Sequence, residues 1–169
     1  MAHYAQHERQ ALCDLFAEVG PAAPTLCAGW ATADLAAHLV LRERRPDAAG
    51  GILLPVLARR TERVQRKIRD ANDWPDLVRL VRSGPPALLR PLDEVMNTVE
   101  YFVHHEDVRR GEGAAAPRTL EPGLEGALWG RLGSMSKLLL RRAPAGLVLD
   151  APGYGRRVAR RGSPEVTVH

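Results

Sequence analysis

The segment VEYFVHHEDV, residues 99–108, combines two histidines and three carboxylates with residues typical of a helix interior. On a helix, at about 100° per residue, His104 lies about 40° from Glu100, and Asp107 lies about 20° from Glu100 on the other side. The three side chains therefore form one polar stripe. Imidazole and carboxylate groups on one helix face can bind a metal ion or move protons.

The stripe borders apolar positions that we expect to pack into the protein interior. These positions are Met96, Val99 and Val103. His105 points about 100° away from His104, so the two adjacent histidines face different surroundings. We expect His105 at the surface or in a second layer behind the stripe.

A second candidate is His38, which lies within the apolar arc of an earlier predicted helix, between Leu35, Leu39 and Leu41. Burying an imidazole without a hydrogen-bond partner costs a few kcal/mol, on the order of 1–3. A group from a neighbouring helix is therefore expected to meet it.

His38, Glu100 and His104 together would supply two imidazoles and one carboxylate. This donor set suits Zn²⁺, with Ni²⁺ as a second choice, and leaves coordination positions open for a small molecule. The spacing alone also fits a buried histidine hydrogen-bonded to a buried glutamate without any metal. Both interpretations stay open at this point.

Three polar residues near these ligands could orient them or face the pocket. They are Asp34, Asn97 and Asp107. Asp34 precedes His38 by one turn, and Asn97 lies about 60° from Glu100 on the His104 side. A favourable charge at a helix N-terminus is the alternative interpretation for Asp34, and a surface acid is the alternative for Asp107.

Helical periodicity dominates most of the chain and predicts an antiparallel four-helix bundle, a mainly α fold. The first predicted helix contains Leu12–Val19, the second runs from Thr32 to Pro46, and the third runs from about Ile52 to Asp70. A short connecting helix opens at Asp73, a long helix runs from Leu88 to Arg110, and the last contains Leu124–Leu139 and ends near Pro144. The bundle is expected from the first helix, the second or third, the long helix and the last. Thr32 is expected to cap the second helix, and Gly111 is expected to cap the long one. Leu53, Leu57, Val64 and Ile68 are expected on the inner face of the third.

The pattern changes at Gly146, where β-branched residues alternate around a PGYG turn. This predicts a hairpin followed by the start of a third strand, a small β element after the bundle. We therefore expect a helical metal-binding domain over residues 1–145 and a short appendage over 146–169. The strand-like pattern still runs at the last residue, which suggests a further C-terminal part.

The overall composition is that of an ordinary globular protein, with 45% hydrophobic and 26% charged residues among 169. No apolar run is long enough for a membrane span and no signal peptide is visible, so a cytoplasmic protein is expected. Cys13 and Cys27 are expected as reduced thiols. The formal net charge is +4, but aromatic residues do not interleave with the arginines, so we interpret the arginines as solvated helix faces and keep nucleic-acid binding as an alternative.

Two segments, PTLCAGWATADLAAHLVLRERRPDA and MNTVEYFVHHEDVRR, resemble the paired motifs of the DinB/YfiT-like metal-binding bundles. The nearest branch is the one related to the N-terminal domain of mycothiol-dependent maleylpyruvate isomerase. The matching positions are Trp30, Asp34 and His38 in the first motif and Glu100 and His104 in the second. The resemblance covers roughly residues 24–168.

The resemblance implies a four-helix bundle that holds a divalent metal with one ligand from its second helix and two from a later one. It also implies a low-molecular-weight thiol of the mycothiol type as a partner, with a small electrophile as substrate. Three functions stay open: a metal-dependent thiol transferase or isomerase, a non-catalytic metal-binding bundle, and a basic helical module for nucleic acid. No catalytic residue is assigned, and a dimer is compatible with the sequence.

Overall fold

The computed structural model describes residues 3–52 and 54–168, which form six α-helices and three β-strands. These are α1 (Tyr4–Val19), α2 (Thr32–Arg44), α3 (Ala58–Asp70), α4 (Trp74–Arg82), α5 (Arg90–Arg109), α6 (Leu124–Leu139), β1 (Gly146–Ala151), β2 (Gly155–Arg160) and β3 (Glu165–Val168). The mainly helical fold with a small C-terminal sheet is confirmed. None of the described helices has the length and apolar character of a membrane span.

Contacts divide the chain into two units, Met1–Ala116 and Pro117–His169. The division falls before α6, whereas the sequence pattern placed the boundary after it, at residues 145/146. Within the second unit α6 packs on β2: Arg157 of β2 lies over the Trp129 ring of α6, with 4.6 Å between the guanidinium carbon and the ring centroid. The Nη1 atom of Arg157 also donates to the Trp129 carbonyl oxygen at 2.9 Å.

The three strands form one sheet in the order β2-β1-β3. β1 and β2 pair antiparallel, as the predicted hairpin requires, with Leu149 opposite Arg157. β3 pairs parallel to β1, with Leu147 opposite Val166. Alternation predicts the existence of a strand, but pairing direction depends on how the connection returns the chain to the sheet.

The core of the first unit is built from α1, α2, α4 and α5. Its buried apolar side chains are Leu12, Cys13, Phe16, Leu35, Ala36, Ala37, Leu39, Val40, Leu77, Val78, Val81, Tyr101 and Val108. Each fully buried side chain of the Leu or Phe class contributes about 1.5–3 kcal/mol relative to its exposed state. Both α2 and α5 contribute side chains to this core, so the two helices border the same interior.

Two predicted helix ends differ in detail. The Thr32 hydroxyl donates to the carbonyl oxygen of Gly20 rather than capping α2. The Ala31 N–H is instead satisfied by Asp34, whose Oδ2 accepts it at 3.1 Å. After α5, the Gly111 N–H donates to Val108 O at 3.1 Å, and its φ is not positive, so it is not a left-handed cap.

The third helix begins later than predicted. A 3₁₀ turn at Pro55–Leu57 precedes α3, which starts at Ala58. The buried residues of α3 are the polar Thr61 and Gln65, while Leu57 is 39% exposed. Leu53 lies outside the described residues. The Thr61 hydroxyl donates to Ala48 O and accepts from Gly51 N–H, so this helix face is held by hydrogen bonds.

The buried face of α5 is not the one expected from the apolar stripe. Met96 is 55% exposed and Val103 is 44% exposed, whereas His105 is 7% exposed. The Nδ1 atom of His105 lies 3.2 Å from Oε2 of Glu8 on α1. The expected surface position of His105 is therefore wrong, because a buried carboxylate on α1 provides the partner that its burial requires.

Candidate metal centre

Three predicted ligands converge between α2 and α5. One ligand atom each from His38, Glu100 and His104 lies within 4.8 Å of the others. The Nε2 atoms of His38 and His104 lie 3.4 and 3.2 Å from the same carboxylate oxygen, Oε1 of Glu100. The side chains are 10%, 24% and 13% exposed, in chain order. The group is thus largely buried, with Glu100 the most exposed of the three.

The environment of Glu100 keeps its carboxylate ionised. Burial by itself raises the pKa of Glu100, but hydrogen bonds from His104 and His38 and the charge of Arg42 outweigh burial and lower it. The Nε atom of Arg42 lies 3.2 Å from Oε1 of Glu100. An ionised carboxylate is the form that binds a divalent cation.

His104 is held from its other ring nitrogen. Its Nδ1 atom lies 2.9 Å from Oδ2 of Asp107. An ionised carboxylate only accepts hydrogen bonds, so the contacts with Asp107 and Glu100 assign protons to Nδ1 and Nε2 respectively. A metal bound at Nε2 would replace the proton there, while Asp107 would keep the Nδ1 proton in place. Burial by itself lowers the pKa of His104, but its bonds to Glu100 and Asp107 outweigh burial and raise it.

A thiol completes a second cluster beside the first. The Sγ atom of Cys27 lies 3.4 Å from Oδ2 of Asp107, and Cys27, His104 and Asp107 also offer three potential ligand atoms within 4.8 Å of one another. Burial and the neighbouring Asp107 charge raise the pKa of Cys27 to about 11. The thiol is therefore protonated near neutral pH and donates to Asp107.

The loop that carries Cys27 rests on the end of α5. The Leu26 N–H donates to Asp107 O at 3.1 Å, and a Cβ at position 111 would collide with the backbone of Pro24. Gly111 is thus required for close approach of the loop. Further along, the Trp30 ring packs on His38 with 5.2 Å between ring centroids.

Asp34 and Asn97, two of the three polar residues predicted near the ligands, contact other partners. Asp34 caps α2 and pairs with Arg69, whose Nη1 lies 2.6 Å from its Oδ1. Asn97 is buried, accepts from Arg42, and donates to Asp93 and Glu43 at 2.6 and 3.1 Å. Of the three, Asp107 alone contacts a ligand directly in the described contacts.

A buried polar cluster that sequence reasoning missed lies next to Asn97. Arg9 pairs with Glu43 at 2.7 Å and with Asp93 at 2.6 Å, while the Tyr101 hydroxyl donates to Glu43 at 3.0 Å. The side chains of Arg9 and Glu43 are each 3% exposed. Helical periodicity places Arg9 and Glu43 on interior faces of their own helices, but only packing brings them together.

Comparison of the chain with protein-family models, with curated proteins and with solved structures found no match. The donor set itself indicates the chemistry of the site. Two imidazole Nε2 atoms and one ionised carboxylate oxygen lie close enough to surround a single cation, and they are donors that zinc and nickel accept. The residues present fit a divalent metal with open coordination positions.

Proposed function

We propose that the first unit is a divalent-metal-binding four-helix bundle of the DinB/YfiT type, from the branch related to mycothiol-dependent maleylpyruvate isomerase. Its activity would be the transfer or isomerisation of a small electrophile with the help of a low-molecular-weight thiol. The core formed by α1, α2, α4 and α5 supports a bundle, in which the short α4 replaces the last predicted helix, since that helix belongs to the second unit. The observation that carries the proposal is the convergence of His38, Glu100 and His104 on one point.

The donor set favours an open centre over a closed structural site. Structural zinc sites normally have four protein ligands, whereas three protein ligands leave room for a small molecule. When bound, a divalent ion lowers the pKa of a coordinated thiol, so that the thiolate exists near neutral pH. The residues of this chain would hold the ion and leave one side accessible, since Glu100 is 24% exposed.

The properties of Cys27 support an external thiol. A thiolate is the reactive form of a thiol, but the pKa of Cys27 is raised to about 11 and its Sγ points to Asp107. The protein's own nearby thiol is thus a poor nucleophile. Cys13 and Cys27 are both free thiols, which supports a reducing compartment, and we propose the cytoplasm.

The first test is elemental analysis of the purified protein. About one divalent ion per chain is expected, zinc or nickel by the softness of the ligands. The second is calorimetric titration of the metal-loaded protein with mycothiol and related thiols. Binding should tighten as the pH rises toward the shifted pKa of the thiol, because the bound species is the thiolate.

Metal-free protein and the Glu100→Ala variant should both fail to bind thiols. If no thiol binds while the metal is demonstrably present, thiol transfer is wrong and a non-catalytic metal-binding bundle becomes the better description. Conversion of a small electrophile, with maleylpyruvate as the first to be tried, would establish catalysis. Association with DNA that survives metal removal would contradict the proposal and favour the basic-module alternative.

A further inference from the structure

Arg42 is a charged residue at the candidate metal centre that the ligand set does not use. It follows His38 by four residues on α2 and therefore shares its helix face. Its Nε atom lies 3.2 Å from Oε1 of Glu100, the same oxygen that both histidines approach. A metal bound by Glu100 would therefore compete with Arg42 for one oxygen.

The guanidinium is held in place by α5. One terminal nitrogen donates to the Asn97 side chain, and the other donates to Met96 O at 3.1 Å. Arg42 is 21% exposed at its side chain, so its charge is only partly screened by water. These contacts would keep the guanidinium beside the centre after a metal has taken over the Glu100 carboxylate.

The Arg42 donor released by a metal then favours an anion. With a divalent ion in place, its two charges would match the carboxylates of Glu100 and Asp107, while the charge of Arg42 also acts on Asp93. The Nε–H of Arg42 would also need a new acceptor, because a half-buried donor without a partner is costly.

We propose that Arg42 is a ligand-binding residue that selects small molecules carrying a carboxylate beside their metal-binding group. A guanidinium and a carboxylate form strong charge-assisted hydrogen bonds. Because Asn97 and Met96 hold the two terminal nitrogens, the Nε–H of Arg42 would point to the carboxylate in one orientation. This inference rests on the proposed metal centre, but it does not depend on the reaction. It makes Arg42 a specificity residue of that centre.

The test begins with zinc affinity, measured by competition with a chromogenic chelator. Arg42→Gln should bind zinc at least as tightly as the wild type, because a positive charge that competes for Glu100 has been removed. Loss of zinc in Arg42→Gln would overturn the inference, since Arg42 would then serve only to position Glu100. Failure of the wild type to bind zinc would overturn the proposed function as well.

The second step uses two probes of similar size, mercaptoacetate and its neutral amide, titrated into zinc-loaded protein. The ratio of their affinities should fall about tenfold in Arg42→Gln relative to wild type, as expected for losing one hydrogen bond to a charged group. Arg42→Lys keeps the charge but loses the guanidinium that Asn97 and Met96 hold in place, and it should give an intermediate ratio. It also provides a variant closer to the native packing.

Arg45→Gln is the matched control, because it removes the same charge from the end of the same helix. Arg45 is 48% exposed at its side chain and pairs with Asp47. Its probe ratio should equal that of the wild type. An unchanged ratio in Arg42→Gln, or an equal decrease in Arg45→Gln, would overturn the inference while leaving the metal centre intact.

Discussion

The Nδ1 atom of His104 lies 2.9 Å from Oδ2 of Asp107, one turn further along α5. This contact orients the imidazole so that its Nε2 atom faces Glu100 and His38. Such a carboxylate partner fixes the tautomer of a metal-binding histidine and raises its basicity. Asp107 is thus a positioning residue of the proposed centre.

Replacing Asp107 by alanine should weaken metal binding by about 10- to 100-fold without removing a ligand. Chelator competition would measure this change. Asp34→Ala is the matched control, since Asp34 caps α2 and pairs with Arg69. It should lower the free energy of unfolding by about 0.5–2 kcal/mol and leave metal affinity unchanged. Weaker metal binding in Asp34→Ala, with unchanged metal affinity in Asp107→Ala, would contradict this assignment of the two carboxylates.

The location of the metal can be decided with one variant from each ligand cluster. His38→Ala should abolish metal binding, and Cys27→Ser should retain about one ion per chain by elemental analysis, because His38, Glu100 and His104 form the proposed site. If Cys27→Ser loses the metal and His38→Ala keeps it, the ion belongs to the cluster of Cys27, His104 and Asp107 instead.

His105 should matter for stability and not for metal. Its ring is buried and bonded to Glu8, so His105→Ala should lower the free energy of unfolding by about 1–3 kcal/mol. Urea unfolding would measure this change, and elemental analysis should still find the ion. Equal metal losses in His105→Ala and His38→Ala would contradict the assignment of the two histidine faces.

The buried ion pairs of Arg9 should be among the costliest to break. Arg9→Ala leaves Glu43 and Asp93 without their cationic partner, and breaking a buried pair costs about 3–5 kcal/mol. Arg60→Ala is the control, because Arg60 is 59% exposed in its pair with Asp47, and such surface pairs contribute about 0–1 kcal/mol. Similar unfolding midpoints for both variants would contradict the importance of the buried cluster.

Asp93 should give the protein an acid-sensitive contribution to stability. Burial by itself raises its pKa, but bonds from Arg9 and Asn97 outweigh burial and lower it below the ordinary 3.8. A carboxyl group with a depressed folded-state pKa contributes stability above its unfolded pKa and loses it as the pH falls through the folded-state pKa. Asp93→Asn should therefore flatten the dependence of unfolding free energy on pH below about pH 4. Parallel curves for the two proteins would refute this prediction.

The helices and the late strands could be predicted because their signals are local. α6 begins at Leu124 as predicted and ends at Leu139, about one turn before the predicted end near Pro144, and the hairpin follows Gly146 as expected. The ExxxH spacing also determined that Glu100 and His104 share one helix face, since about 100° per residue fixes the relative directions of side chains.

Only the tertiary structure decided how each helix is rotated about its own axis against its neighbours. That rotation buries His105 against Glu8 and exposes Met96. It also brings Arg42 to Glu100 and Cys27 to Asp107, residues 58 and 80 positions apart in the chain. Helical periodicity does not predict this rotation, because periodicity describes one segment alone. The packing free energy that selects the rotation comes from contacts between segments distant in the sequence.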